Sequence, residues 1–171
     1  MEFAVVRSRA ESGLQAPPVL VEVHLSNGLP AFNMVGMPET AVRESKDRVR
    51  SALINSHFDV PDRRITVNLA PAVLPKSSGR IDLPIALGIL AASGQLPGEC
   101  LLQREFFGEL ALDGSLRPVR GLLPAIMVAT REGARAVIPR DNTWPGIPLP
   151  AGRLLPAADL LSLCACLRGR V

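Results

Sequence analysis

Apolar and polar residues alternate in three short stretches near the start of the chain, FAVVRSR at 3–9, VLVEVHLS at 19–26 and AFNMVG at 31–36. A period of two puts successive side chains on opposite faces of a pleated strand. SNGLP at 26–30 supplies turn residues between the second and third stretches. Together they read as the opening of an antiparallel sheet. From 37 to 58 the period lengthens: Ala41, Val42, Ser45, Val49, Ala52 and Leu53 recur at helical spacing. Pro38 suits the first turn of that helix, where its missing N–H is no loss. RRITVNLAP at 63–71 returns to the strand pattern.

The stretch PKSSGRIDLPIALGILAASGQLP at 75–97 turns from polar to wholly apolar. Asp82 is the expected N-cap of a helix whose first turn tolerates Pro84. The body of that helix is apolar on all sides and must be buried. Beyond it, EFFGELALDGSLRPVRG at 105–121 predicts two strands around an Asp-Gly turn, and LLPAIMVATREGA at 122–134 a helix ended by Gly133. AVIP at 136–139 reads as a short strand and PAADLLSLCACLRG at 156–169 as a closing helix. Strands and helices mix without strict βαβ alternation. The fold class is therefore α/β, a mixed β-sheet packed with helices.

Composition narrows the class. With 171 residues, 47% hydrophobic and 20% charged, the chain suffices for one domain with its own core. The longest apolar run, IALGILAAS at 85–93, is too short to cross a bilayer, and Arg7, Arg9 and Glu11 break any signal-peptide core. Three cysteines cannot all pair, and Cys164 and Cys166 lie two apart on a helical segment. A reduced, cytoplasmic protein with no membrane partner is expected. His24 and His57 are the only histidines, so no zinc site is expected, and His24 belongs to the solvent side of its strand. The net charge is +3, and all but Lys46 and Lys76 of the 19 basic residues are arginine. Such basicity permits an anionic partner without requiring one.

Several chemistries lack their residues. A phosphate-cradling loop needs glycines before an adjacent Lys-Ser/Thr pair, but Lys76 follows Leu74 and Pro75, and Lys46 precedes Asp47. No GxGxxG fingerprint and no nucleophile elbow is present. A Ser-Lys dyad would have to draw on Ser77 or Ser78 with Lys76 or Lys46. Adjacent residues on one loop rarely aim at each other, and an exposed Lys stays protonated near neutral pH.

Three blocks, VEVHLSNGLPAFNMVGMPETAVRESKDRVRSALINS, RRITVNLAPAVLPKSSGRIDLPIALGILAASGQLP and FFGELALDGSLRPVRGLLPA, resemble the N-terminal domain of the magnesium-chelatase-like ComM/YifB family. The resemblance implies that residues 1–171 are a single N-terminal domain, without the AAA+ ATPase and C-terminal magnesium-chelatase-type domains that follow in that family. It implies a Lon-proteolytic-domain-like fold, also called ribosomal-protein-domain-2-like. GELALDGSLRPVRGLLPAIMVATREGARAVIPRDN is similar to the Lon segment that carries the catalytic Lys, and SSGRIDLPIALGIL to the segment that carries the Ser. By position the Ser falls at or near Arg80 and the Lys at Leu123 or Ala125, so no catalytic residue is carried over. Ser77, Ser78 and Ile81 stand where family members commonly show an acidic or Gly residue and an aromatic.

The function implied is that of a non-catalytic accessory domain of a ComM-type AAA+ protein, a DNA branch-migration helicase in natural transformation, serving DNA contact or ring assembly. The alternatives are a Lon-type serine peptidase and a pure assembly module. No cofactor is expected in this chain, ATP and Mg belonging to the missing module. The expected partners are that module, a hexameric ring, and DNA. Arg43, Lys46 and Arg50 recur at helical spacing as a basic stripe, although Arg43 with Asp47 and Glu44 with Arg48 are i,i+4 pairs that solubilise a helix equally well. Lys76 and Arg80 place two cations near a helix N-terminus, with Asp82 expected to cap it and leave them facing outward. They complete the candidate contacts to a DNA phosphate or an acidic partner patch. Isothermal calorimetry of this chain with ATP is expected to show no stoichiometric binding.

Overall fold

A computed structural model describes residues 2–71, 79–142 and 152–169. Lys76, Ser77 and Ser78 lie outside the described residues. The chain opens with β1 (Phe3–Arg9), β2 (Pro18–Ser26) and β3 (Ala31–Val35), close to the stretches that alternate in sequence. Next come α1 (Glu39–Asn55) and β4 (Arg64–Ala70). These four strands form one sheet in the order β1-β2-β4-β3. β1 and β2 are antiparallel, with Phe3 opposite His24 and Arg9 opposite Pro18. β3 departs from the antiparallel expectation, because it runs parallel to β4. Parallel neighbours need a crossover, and α1 provides it, leaving β4 to insert between β2 and β3.

One face of this sheet is apolar apart from Ser8: Val6, Val19, Val21, Val23, Leu25, Ile65, Val67 and Leu69 are all buried. Against it lies α2 (Asp82–Ala92), entered through a 3-10 turn at Gly79–Ile81. Every residue of α2 is buried, because β1 and β2 cover one side and α1 packs on another. This explains why its sequence shows no amphipathic stripe. The approach to the sheet is close at Gly88, where a Cβ would meet Val23 Cγ2 at 2.5 Å. α1 turns Ser45, Val49, Ala52 and Leu53 inward, four of the six positions that its periodicity marks. The opposite face of the sheet is uncovered at Phe3, Val5, Leu20 and Val35, and His24 is exposed there as the alternation predicts.

The second half departs further from the sequence reading. Residues 105–121 hold part of one strand and a hairpin: β5 (Arg104–Phe106), then β6 (Glu109–Leu110) paired with β7 (Leu116–Arg117). The Asp-Gly turn is in the hairpin, where the Asp113 carboxylate accepts from the Ser115 amide at 2.9 Å and Gly114 takes φ +92°. After α3 (Leu123–Arg131) the chain forms β8 (Arg135–Pro139). The closing helix is shorter than expected, because β9 (Leu154–Ala157) takes its first residues and α4 (Leu160–Leu167) starts behind Asp159. Asp159 caps α4 by accepting from the Ser162 amide at 2.7 Å. β5, β8 and β9 make a parallel sheet in the order β5-β8-β9. A small second core of Phe107, Leu122, Ile126, Ala136 and Ile138 joins α3 to it.

Because Val23 is fully buried and cannot swing away, Gly88→Val should lower stability by about 3 kcal/mol, the upper part of the range for overpacked cores. A fall in the urea midpoint at unchanged m-value would register it.

Candidate functional site

Arg43, Lys46 and Arg50 occupy one face of α1, at positions 0, +3 and +7 of the helical repeat. Arg43 and Arg50 are exposed. Lys46 is half-buried, its ammonium 5.8 Å from the centroid of the Phe32 ring on β3, within cation–π range. Glu39 and Asp47 are also exposed on or beside this face, so the stripe is mixed in sign at its margins. No ion pair joins Arg43 to Asp47 among the described residues. Glu44 and Arg48 do approach, at 3.8 Å, but Arg48 spends its stronger bonds elsewhere.

Those bonds go to Asp82, which is not an N-cap. Ile81 holds the cap position of α2 and offers no side-chain bond there, while Asp82 is the first helical residue. Its carboxylate turns inward and accepts from Ser45 Oγ at 2.7 Å, Arg48 Nε at 2.6 Å, and the Leu110 amide at 3.2 Å. A second guanidinium nitrogen of Arg48 lies 3.2 Å from its Oδ1. One side chain thus ties α1, α2 and the β6–β7 hairpin together. Burial pushes the Asp82 carboxyl up from its ordinary range, against the lowering pull of Arg48 and Ser45. The bond to Asp82 raises the Arg48 guanidinium in turn.

Arg80 does not face outward either. It is 2% exposed. Its guanidinium donates to the carbonyls of Arg120 at 2.8 Å, Gly121 at 3.3 Å and Arg9 at 3.4 Å. The backbone around it is pinned from below, since Gly108 N–H donates to the Arg80 carbonyl and Leu83 N–H to the Gly108 carbonyl. Glu11 is its nearest carboxylate, at 3.8 Å. Burial lowers the Arg80 guanidinium from its usual value, with Glu11 opposing. A side chain spent on interior carbonyls is not available to a phosphate.

Arg80 bonds to the carbonyls of Arg120 and Gly121 in the loop that leads into α3, on which the Lon resemblance places its second position. Leu123 is exposed there and Ala125 is buried. A cleft of 380 Å³ opens at this place, lined by Glu11, Gly79, Arg80, Glu109, Pro118, Val119 and Arg120. Among the described residues its charged side chains are carboxylates and guanidiniums, and no hydroxyl, thiol or amine lines it. The one perturbed thiol, Cys164, is pushed up to about 12 by burial and is inert.

A second ionic cluster has no counterpart in the sequence reading. Arg9, buried at the end of β1, binds Glu105 at 2.7 Å through Nε and Glu132 at 2.5 Å through a terminal nitrogen, and its other terminal nitrogen donates to the Ala16 carbonyl at 3.1 Å. Burial depresses this guanidinium, and the bonds to Glu105 and Glu132 outweigh it and raise it. The available signal was Glu105 set among the apolar residues of EFFG, since a charge there needs a partner.

Both inward ties carry a stability prediction. Asp82→Ala should cost about 3–5 kcal/mol, the penalty for breaking a buried pair and stranding its partner, rather than the ~1 kcal/mol of a lost cap. Arg80→Ala, which strands buried carbonyls, should cost about 1–3 kcal/mol rather than the ~0.5 kcal/mol of a surface change. Urea denaturation of the two variants separates these values.

Residues 21–142 match the family model described as subunit ChlI of Mg-chelatase. The chain is 58% identical over 142 residues to the competence protein ComM of Haemophilus influenzae, an alignment covering 83% of this chain and 28% of that protein. It is 47% identical over 170 residues to YifB of Escherichia coli, covering 99% of this chain and 34% of the relative. A third relative, Rv2897c of Mycobacterium tuberculosis, is 40% identical over 154 residues, covering 90% of this chain and 28% of its own. The chain spans about a third of the length of these relatives. With the family model matched across most of an α/β domain, this chain belongs to the ChlI Mg-chelatase-subunit family, in its ComM/YifB branch.

Proposed function

We propose that this chain is a non-catalytic accessory domain of a ComM-type AAA+ protein. The observation that carries the reading is Arg80: where a Lon-type peptidase would place its Ser, a buried guanidinium is bonded to the carbonyls of Arg120 and Gly121. Leu123 and Ala125 bring no amine to meet it. The site geometry thus favours a structural tie over a peptidase. The ATPase and Mg chemistry belong to the remaining two-thirds of such a protein, which works as a hexameric ring in the cytoplasm.

In this reading the domain contacts DNA through α1. Arg43 and Arg50 extend into solvent and Lys46 is held by Phe32, so the three cations sit along about ten ångströms of one helix face. That length spans the charge spacing of a nucleic-acid backbone. The name of the Haemophilus relative, a competence protein, agrees with DNA as the partner. Lys76 adds a fourth candidate cation, while the burial of Arg80 removes it from the contact set. A second reading, ring assembly, draws on Glu39 and Asp47, which give the same face charges of both signs.

Replacing Arg43, Lys46 and Arg50 with Ala should weaken DNA binding alike across sequences and reduce the slope of log K against log salt by up to about three. Fluorescence anisotropy with single-stranded and forked DNA across a salt series measures this. An unchanged slope would assign the stripe to ring assembly.

A further inference from the structure

The uncovered face of the four-stranded sheet ends in a groove of 530 Å³, whose walls include Arg7, Pro18, Leu20, Ala70, Arg104 and Ala134. That volume is in the range of pockets that hold a ligand. It forms where β1 and β5 lie against each other. Each is the edge strand of its own sheet. Among the described residues no backbone hydrogen bond joins them. Unpaired strand edges are templates for another extended chain.

The charges around the groove are unevenly satisfied. Arg9, Glu105 and Glu132 close one end and are spent on one another. Arg104 gives one nitrogen to the Cys100 carbonyl at 2.9 Å and has no ion pair with a carboxylate among the described residues. The exposed side chain of Arg7 has no hydrogen bond or ion pair among the described residues, although its charge acts on Glu105 from a distance. Two guanidiniums that hold no carboxylate in an ion pair therefore flank a floor of proline, leucine and alanine. Leu20, at the middle of it, is 40% exposed.

We propose that this groove binds an extended segment of a partner protein that presents an apolar side chain and, two residues on, an Asp or Glu. Side chains two apart share a face of a strand, so the apolar one covers Leu20 and Ala70 while the carboxylate reaches Arg7 and Arg104. An arginine fork meets a carboxylate through paired hydrogen bonds, and an extended chain laid along the groove brings both side chains down on the same face. The site is separate from the α1 stripe and from the cleft at Arg80.

The probe is a fluorescein-labelled peptide, Gly-Gly-Leu-Gly-Glu-Gly-Gly, with matched peptides carrying Gln or Lys in place of Glu, read by anisotropy against the full chain. The Glu peptide should bind saturably, and the Gln peptide at least about tenfold more weakly, as expected for loss of hydrogen bonds to a charged group. Arg7→Glu, a change at an exposed position, should lose the Glu peptide and gain the Lys peptide, a reversal that no general loss of structure produces. Amide shifts in NMR titrations should cluster at Leu20, Gln103 and Ala134. Equal binding of Glu and Gln peptides, no saturable binding, shifts elsewhere, or indifference to Arg7→Glu would overturn the proposal. So would oligothymidylate displacing the peptide and binding tighter at the same amides, which would make the groove a nucleic-acid site.

Discussion

A carboxylate sealed from solvent must be met by donors on several sides or the fold does not hold it, and Asp82 is met by three residues of two other elements at once. Ser45 and Arg48 reach it from α1 and the Leu110 amide from β6. The remaining side chains of α2 carry only apolar contacts, which are non-directional and tolerate sliding. The polar junction supplies the direction. It sets the rotation of α2 on the sheet, the position of α1 above it and the place of the hairpin beyond its N-terminus.

Two buried arginines extend the same device to the other half of the molecule. Arg9 ties the end of β1 to β5 and to the end of α3 through Glu105 and Glu132. Arg80 ties the entrance of α2 to the loop before α3. Desolvating a guanidinium is costly and is offset only where carboxylates or carbonyls surround it. These two sites meet that condition differently. Arg9 has two carboxylates, whereas Arg80 relies on carbonyls and a distant Glu11, and its Nε has no hydrogen-bond partner among the described residues. This division bears on function, because cations spent inside are withdrawn from any partner, whereas Arg43 and Arg50 on α1 and Arg7 beside the groove stay exposed.

Much of the fold was legible. The alternation in 3–9, 19–26 and 63–71, the helical period in 37–58 and the uniformly apolar 85–92 all became the elements they predict. The errors have a common cause. β3 was read as antiparallel because pattern reports a strand and not its direction, and β9 was absorbed into a helix because LLPA is too short to show a period. Arg43 and Arg50 are exposed on one face of α1 as their spacing predicts, because a helical stripe is a local property. Arg80 and Asp82 were misread because a polar residue before an apolar helix looks the same whether it caps that helix or turns toward a neighbour.

By itself the sequence determined the class of fold, the faces of its main elements and, through the long blocks it shares with its relatives, its family. Those features depend on residues a few positions apart, whose spacing is set by strand and helix geometry. Only the tertiary structure decided where the charges go. Arg9 lies 96 residues from Glu105 and Arg48 lies 34 from Asp82, separations at which no local period operates. Whether such a side chain is buried or solvated depends on which elements pack over it, and that is decided when α1, α2 and the two sheets come together.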